Sequence, residues 1–446
     1  MKHLLDKLHA RLGDFWWYSL MIFMAARAAD CLNVFVGLWL VPKYVPPSEL
    51  GAVQPLANFA SFLALPIAVF ASTFRQELSN LAISRQYGKM KTLMKSVFIA
   101  AAIFFFVAIL VSHFVLPHFL TRIRIAEGSL GMLIIVYSFI NTLAPIFQNA
   151  LQSLKKFKAT TTISLLGAPI RLIAMLATMP LRALSGYFVG QASTPAFSIV
   201  TSVIALRKEL AVKAEPYWTK TVFSRHGRLF AIFGISTAAS LVPALVESTI
   251  IRQRLPEIDS AAYYMTTRFS EIATFLYTTL AFTLFPFAAE IAAKGKSTLP
   301  LFLKASSAII LTNGFLAFLF WLGGQKALSL LPHGELYADY HWAVPCLIGN
   351  ATILAITGLY TNAEIAANRF GYLLLTVPTS LLYAALLLFV TGFGYFSSIL
   401  PSSWTTFLSQ HNIDSLGPMI LWISAGAALR LFCCFIHALI RKGLSK

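Results

Sequence analysis

The sequence contains few charged residues, and acidic residues are fewer than basic ones. Charged residues make up 12% of the 446 residues, with 17 Asp and Glu against 35 Lys and Arg, whereas hydrophobic residues make up 58%. Soluble globular domains are about 25% charged. This composition therefore excludes an ordinary soluble protein and predicts a polytopic membrane protein.

Cysteine is also scarce, and familiar enzyme motifs are absent. The four cysteines, Cys31, Cys346, Cys433 and Cys434, all lie in apolar segments, where we expect small buried residues rather than disulfides or metal ligands. The sequence has no GxxxxGK(S/T) loop and no HExxH motif, which argues against direct use of ATP and against metal catalysis. We expect no cofactor, no metal and no enzymatic activity.

Long apolar runs, in contrast, recur along the whole chain. A helix needs about 20 mainly apolar residues to cross a bilayer core of roughly 30 Å, and twelve segments meet this requirement. Their approximate bounds are 16–41, 51–74, 94–117, 128–151, 159–181, 184–206, 229–251, 261–289, 301–323, 339–362, 369–394 and 418–440. The predicted fold class is all-α, a polytopic membrane protein with about twelve transmembrane helices.

The basic residues between the spans set the predicted orientation. With the N-terminus inside, the inner connections carry 24 Lys and Arg and the outer ones carry seven, as the positive-inside rule requires. Both termini are therefore predicted to be cytoplasmic, and the longest external connection is 395–417. The net charge of +18 lies in short connections rather than in a soluble domain, so we expect no nucleic acid partner.

The sequence divides into two similar halves. The longest inner connection is Arg207 to Arg228, and residues of the first half recur at an offset of 210, for example Ala28 at Ala238. Two six-helix bundles around a central cavity are a recurrent transporter plan, and we expect a monomer. The predicted segments are an amphipathic N-terminal segment at 1–15, an N-terminal bundle at 16–206, a cytoplasmic linker at 207–228 and a C-terminal bundle at 229–446.

Polar residues follow one face of most predicted spans. Asn58 lies on such a face of the second span, and Asn141 and Gln148 share one on the fourth. Serine and threonine in a span often bond to their own backbone, but amides repeated on several helices indicate a polar interior. We predict that Asn58, Asn141 and Gln148 contact a substrate.

Four arginines lie within the predicted spans: Arg27, Arg171, Arg268 and Arg430. A charge at this depth costs about 2.5–3.5 kcal/mol on insertion scales, so such residues normally face a polar interior. Because guanidinium matches phosphate oxygens in a bidentate manner, we predict that all four bind an anionic substrate. The alternative is structural pairing: Asp30 and Glu271 follow Arg27 and Arg268 by three residues, and Arg430 could pair across helices.

Carboxylates within the spans suggest coupling to an ion. Asp30, Glu271 and Glu364 are the predicted candidates for proton or sodium coupling, because a carboxylate in low dielectric can titrate near neutral pH. Salt bridges to the arginines are the alternative role. Glu247, near the outer end of the seventh span, is assigned to an ion pair, and coupling by membrane potential alone requires none of these residues.

Three stretches carry a family resemblance. They are LQSLKKFKATTTISLLGAPIR at Leu151 to Arg171, LVPKYVPPSELGAVQPLANF, and SAAYYMTTRFSEIATFLYTTLAFTLFPFAAEIAA. With the twelve spans and the twofold repeat, they resemble the polysaccharide (O-antigen type) flippases of the multidrug/oligosaccharidyl-lipid/polysaccharide exporter superfamily. Lipid II flippases of that superfamily usually have fourteen spans.

The resemblance implies that the protein moves a lipid-linked anionic oligosaccharide, carried on a polyprenyl diphosphate, across the bacterial cytoplasmic (inner) membrane. It also implies cavity arginines in the first and eighth helices, where Arg27 and Arg268 lie, whereas Arg171 and Arg430 have no assigned counterpart. The implied partners are membrane lipids and polysaccharide assembly proteins.

Two other functions stay open. A multidrug or metabolite antiporter of the same superfamily would more naturally have an acidic cavity. A membrane polysaccharide polymerase or ligase, from another class, would usually carry its catalytic groups in a large outer loop, and only His411 and Asp414 mark the longest one here.

Overall fold

A computed structural model describes residues 23–125, 128–217, 219–294, 296–367, 369–390 and 415–444. The predicted amphipathic segment 1–15, the start of the first span and residues 395–414 of the longest external connection lie outside the described residues.

Helices account for all the regular secondary structure in the described part of the chain, which confirms the all-α prediction. Nine of these helices are long and apolar enough to cross a membrane. The main helices are α1 (Phe23–Tyr44), α2 (Val53–Ile83), α3 (Tyr87–Arg122), α4 (Gly128–Ser153), α5 (Phe157–Ala205), α6 (Thr219–Arg254), α7 (Glu257–Ser270), α8 (Thr274–Ala293), α9 (Leu299–Ser329), α10 (Ala343–Ala366), α11 (Leu373–Val390) and α12 (Leu416–Leu444).

Within the described residues, each of the twelve predicted spans overlaps one or more of these helices, although the correspondence is not one to one. The fifth and sixth predicted spans both lie in α5, where the backbone of Arg182 and Ala183 is not helical and separates the two parts. The eighth predicted span is divided between α7 and α8 by a 3₁₀ turn at Glu271–Ala273.

The cysteines differ in their surroundings. Cys433 and Cys434 are buried in α12, as expected, whereas Cys31 in α1 and Cys346 in α10 are exposed on their helices. The prediction that all four are buried is therefore wrong for two of them, because an apolar segment of a membrane protein has a lipid-facing side as well as a packed one. All four are free cysteines.

Local hydrogen bonding accounts for the break between α7 and α8. The hydroxyl of Ser270 donates to the carbonyl of Thr267 at 2.8 Å, and that of Thr274 donates to the carbonyl of Glu271 at 2.7 Å. Hydroxyls that bond to the backbone compete with the helix for its carbonyls, and short 3₁₀ segments within a helix often mark a hinge. The break places Glu271 directly at this irregular turn.

Helix α1 contains a π-helical turn at Val36–Leu40. Pro42 follows this turn and has no N–H to donate to the carbonyl four residues earlier, so a regular α-helix would leave that carbonyl without its usual bond. Wide turns of this kind are rare and frequently lie at functional sites. Gly37 is in the turn, and its backbone approaches the side chain of Arg268.

Contacts within the chain form two compact units. The first contains residues 23–36, 60–121 and 128–234, and its core packs Leu78, Leu93 and Leu151 from three helices together. The second contains residues 37–59, 122–125 and 235–444, and its core packs Ala288, Ile309 and Leu359 together. The bundle boundaries drawn from the sequence stay a prediction.

Arg252 holds two early segments of the chain in the second unit. Its guanidinium donates to the carbonyl of Ile123 at 2.8 Å and to that of Ser48 at 2.6 Å, and its side chain is only 1% exposed. Nearby, Arg124 donates to the carbonyl of Gln253 at 2.7 Å. A buried charge is costly unless it is hydrogen-bonded, so these backbone acceptors offset part of the cost of burying Arg252.

Candidate functional site

The first unit brings two of the predicted arginines to one carboxylate. Arg27 pairs with Asp30 at 3.1 Å, and its guanidinium also lies 5.6 Å from the ring centroid of Phe23. Arg171 of α5 interacts electrostatically with the same Asp30. Two permanent positive charges around one carboxylate leave this cluster with an excess of positive charge when Asp30 is ionised.

The surroundings of Arg171 are aromatic. It interacts electrostatically with Tyr137 and Tyr187, and the hydroxyl of Tyr187 accepts a hydrogen bond from Gln191 at 2.8 Å. Tyrosine combines an apolar ring with a polar tip, so this part of the unit can surround a cation without supplying a second carboxylate. The tyrosines were not among the residues predicted from the sequence.

The two predicted amides of the first unit have different environments. Gln148 donates to the hydroxyl of Ser198 at 2.8 Å, which joins α4 to α5. Asn141, two turns earlier on α4, is exposed. The bond of Gln148 is explained by helix packing alone, since side-chain amides commonly join membrane helices.

In the second unit, Arg268 is the centre of a polar chain. It pairs with Glu271 at 2.5 Å, donates to the side-chain oxygen of Gln54, and lies 4.7 Å from the ring centroid of Tyr264. Gln54 in turn donates to Asn58 at 3.3 Å. The structure thus brings together Arg268, Glu271 and Asn58. The spacing of Arg268 and Glu271 had indicated a possible pair, whereas nothing in the sequence linked either of them to Asn58.

The polar chain continues from Asn58 to α6. The amide of Asn58 donates to the carbonyl of Ala244 and to the hydroxyl of Ser248, both at 2.9 Å. Arg268 is 15% exposed and Glu271 is 34% exposed, so the ion pair is reachable from outside the packed helices. The polar chain therefore joins α7, α2 and α6 and fixes the direction of one guanidinium.

A separate cavity of about 370 Å³ lies within the second unit. Its walls include Glu247 of α6 and Arg430 of α12. Glu247 interacts electrostatically with both Arg430 and Tyr383, and the Arg430 guanidinium lies 5.9 Å from the ring centroid of Tyr383. Arg430 has no acidic neighbour on its own helix, and Glu247 of α6 provides one from another helix.

Glu364 of α10 is the third predicted carboxylate. It is 1% exposed and interacts electrostatically with Tyr372 and Cys434. Tyr372 also lies beside His437, with the two ring centroids 6.4 Å apart, and a ring nitrogen of His437 is 2.6 Å from the hydroxyl of Tyr360. In the part of the chain that the structure describes, no three His, Cys, Asp or Glu side chains form a group that could hold a metal ion.

Comparison with known proteins gives a match in structure but not in sequence. No protein-family profile matches the chain, and no curated protein matches it either. Solved structures do match. One is an inward-facing multidrug resistance MATE family transporter of the MOP superfamily, with 13% identity, a TM-score of 0.66, and coverage of 93% of this chain and 94% of that chain.

Two further solved structures have the same fold. The lipid II flippase MurJ in an inward closed conformation has 14% identity and a TM-score of 0.64, with 94% of this chain and 87% of that chain covered. The Vibrio cholerae MATE transporter VcmN in the bent form has 12% identity and a TM-score of 0.56, with 99% of each chain covered. The chain has the MATE and MurJ fold. At such low identity, the fold alone follows from these likenesses.

Proposed function

We propose that the protein is a flippase that moves a lipid-linked oligosaccharide across the bacterial cytoplasmic membrane by alternating access. The polyprenyl diphosphate head group would bind to arginines within the predicted spans, namely Arg27, Arg171 and Arg268, and Arg430 would contact another part of the same substrate. The observation that carries this proposal is that Arg27 and Arg171 of the first unit and Arg268 and Arg430 of the second lie within the predicted apolar spans.

Electrostatics favours an anionic cargo. Keeping an arginine at membrane depth costs about 2.5–3.5 kcal/mol on insertion scales, and four such residues are difficult to explain by helix packing alone. Arginine is always charged and presents a planar fork that fits phosphate oxygens. The cluster of Arg27, Arg171 and Asp30 has more positive than negative charge, which suits a diphosphate better than a cationic drug.

The shared fold supports the same proposal. MurJ, a lipid II flippase, has this fold, so a lipid-linked glycan is a cargo that the architecture accommodates in another protein. The match covers 87% of MurJ, and the twelve spans predicted here are fewer than the fourteen typical of lipid II flippases. An oligosaccharide substrate of the O-antigen type is therefore our preferred cargo.

Coupling and location belong to the same proposal. Asp30, Glu271 and Glu364 are the candidates for proton or sodium coupling, two of them as partners of arginines and the third as a buried carboxylate. We propose an inner-membrane location with both termini in the cytoplasm and a monomeric state. Membrane lipids and polysaccharide assembly proteins are the proposed partners.

A multidrug antiporter is the second candidate. The carboxylates of Asp30 and Glu271 are 33% and 34% exposed, and reachable carboxylates are suited to binding cationic compounds. MATE transporters share the fold as closely as MurJ does. The two candidates differ in the charge of the cargo, which makes them separable in one assay.

The test uses the full-length protein in proteoliposomes. Transbilayer movement of a labelled undecaprenyl diphosphate oligosaccharide is measured under imposed pH, sodium or voltage gradients, beside uptake of ethidium. We expect movement of the glycolipid and a reduction of tenfold or more in Arg27→Ala and Arg268→Ala. The control is Lys326→Ala, an exposed residue near the end of α9. Uptake of ethidium without movement of the glycolipid would establish the antiporter instead.

A further inference from the structure

The cavity in the second unit has features that binding of a diphosphate does not require. Its volume of about 370 Å³ falls within the range of roughly 300–1,000 Å³ that is usual for small-molecule sites. Helices α6, α8, α10, α11 and α12 all contribute to its walls. It lies within a single compact unit, so its walls are formed by helices that pack together.

Hydroxyl groups dominate the polar part of these walls. They come from Ser236, Ser240, Tyr277, Thr357, Thr361, Tyr372, Thr376 and Ser380. The hydroxyl of Thr357 donates to the carbonyl of Ile353 at 2.9 Å, and that of Thr361 donates to the carbonyl of Gly358 at 3.0 Å. A hydroxyl that has donated its hydrogen retains lone pairs that can accept. These threonines therefore present acceptors to the cavity.

The two charged groups of the cavity complete this pattern without giving it a strong net charge. Glu247 supplies carboxylate acceptors, and Arg430, which interacts with Glu247, supplies guanidinium donors. A free cation would be repelled by Arg430 and a free anion by Glu247. A neutral molecule with many O–H groups, which both donate and accept, fits such walls best.

We infer that this cavity binds a sugar residue of the transported glycan, a role that rests on the proposed flippase function. The hydroxyls of the sugar donate to the threonine oxygens and to Glu247, and its ring or carbonyl oxygens accept from Arg430. Aromatic rings of Tyr277 and Tyr372 provide the apolar walls that the less polar faces of a sugar need. The diphosphate and the glycan are thus held at separate places.

The experiment measures binding to the full-length protein in lipid nanodiscs. Two probes are used: undecaprenyl diphosphate without sugar, and the lipid-linked glycans extracted from the cells that make the protein. The double variant Thr357→Val/Thr361→Val removes two hydroxyls and nearly keeps side-chain shape. Ala427→Phe, at a buried wall position, fills the cavity. Thr379→Val is the matched control, because its hydroxyl also donates within a helix, to Leu375 at 2.6 Å, and it lies off the cavity wall.

We expect both cavity variants to weaken binding of the glycan probe at least fivefold. Their affinity for undecaprenyl diphosphate should stay within twofold of wild type. The control variant should bind both probes as wild type does. If wild type binds both probes and the cavity variants affect neither, or affect both equally, the cavity holds only water and the inference is overturned while the flippase proposal stands. If wild type binds neither probe, both proposals are rejected.

Discussion

A Cβ atom added to Gly37 would lie 2.8 Å from Cδ of Arg268. The aliphatic part of Arg268 therefore packs directly against the backbone of the π-helical turn in α1. Its guanidinium is held on the other side by Glu271 and Gln54. The guanidinium can therefore keep its present direction only if residue 37 is glycine, because any side chain there would occupy the space of the Arg268 side chain.

This relationship predicts that Gly37→Val lowers transport although Arg268 is retained. The added side chain would push Arg268 away from Glu271 and Gln54, so the charge would remain but its position would change. We expect glycolipid movement in proteoliposomes to fall at least fivefold in Gly37→Val and less in Gly37→Ala, because a misplaced binding group costs affinity and rate.

Gly314→Ala in α9 is the matched control, since a Cβ there meets no atom within 4 Å. Alanine is about 1 kcal/mol better than glycine in a helix interior, so this control should be neutral or slightly stabilising. Full transport by Gly37→Val would show that the direction of Arg268 is unimportant.

The ion pair of Arg27 and Asp30 leads to a second prediction. If Arg27 serves only to neutralise Asp30, removing both charges should restore function. We expect instead that Arg27→Ala/Asp30→Ala transports at least tenfold less than wild type, because the diphosphate has lost a binding group. Stability should change little, since a partly exposed pair contributes about 0–1 kcal/mol. Transport near the wild-type rate by the double variant, with normal thermal stability, would assign the pair to helix packing.

The sequence was sufficient to predict the parts of this structure that depend on local information. The described parts of the twelve predicted apolar segments are largely helical, and the spacing of three residues anticipated the pair of Arg268 and Glu271. The bond between Arg268 and Gln54 spans 214 positions, and Glu247 and Arg430 come from helices far apart in the chain. Such contacts depend on how helices pack, which hydrophobic periodicity does not specify.

The sequence pattern also did not predict the irregular turns of the backbone. The 3₁₀ turn at Glu271 and the π-helical turn around Gly37 lie inside apolar runs that predict continuous helix. Pro42, which lacks a backbone donor, follows the second of these turns. The turn also packs Gly37 against Arg268, a contact between distant parts of the chain that the sequence pattern does not specify.

Two basic residues in left-handed turns lead to a third prediction, which concerns stability. Arg85 and Lys155 each have φ of 55° at the end of a helix, and the next residue donates back to the helix, at 2.9 Å in both cases. This conformation costs a non-glycine residue about 1–2 kcal/mol, while glycine adopts it freely. We expect Arg85→Gly and Lys155→Gly each to stabilise the protein by roughly 0.5–1 kcal/mol, after the entropy of glycine in the unfolded chain is subtracted.

Thermal unfolding of the full-length protein in detergent measures this effect. Lys95→Gly is the control, because Lys95 is an exposed residue in the interior of α3, where glycine should destabilise by about 1 kcal/mol relative to a good helix former. A lower melting temperature in both turn variants would contradict the account of these turns.

The loop between α9 and α10 gives a prediction about pH. The hydroxyl of Tyr340 donates to the carboxylate of Asp259 at 2.5 Å. Burial, this hydrogen bond and the charges of Asp259 and Asp339 together raise the pKa of Tyr340 to about 12. Tyr340→Phe removes the donor and should destabilise the protein, at the lower end of the roughly 1.5–3 kcal/mol typical of hydrogen bonds to charged groups.

The raised pKa fixes how this loss depends on pH. Tyrosine in the unfolded chain has a pKa of about 10, and the folded protein holds the proton more tightly, so the stabilisation by Tyr340 is fully present below about pH 10 and is lost only as pH rises through about 12. The difference in melting temperature between wild type and Tyr340→Phe should therefore stay constant from about pH 6 to 9. A difference that grows or shrinks within this range would show that another titrating group, rather than the neutral phenol, controls the contact.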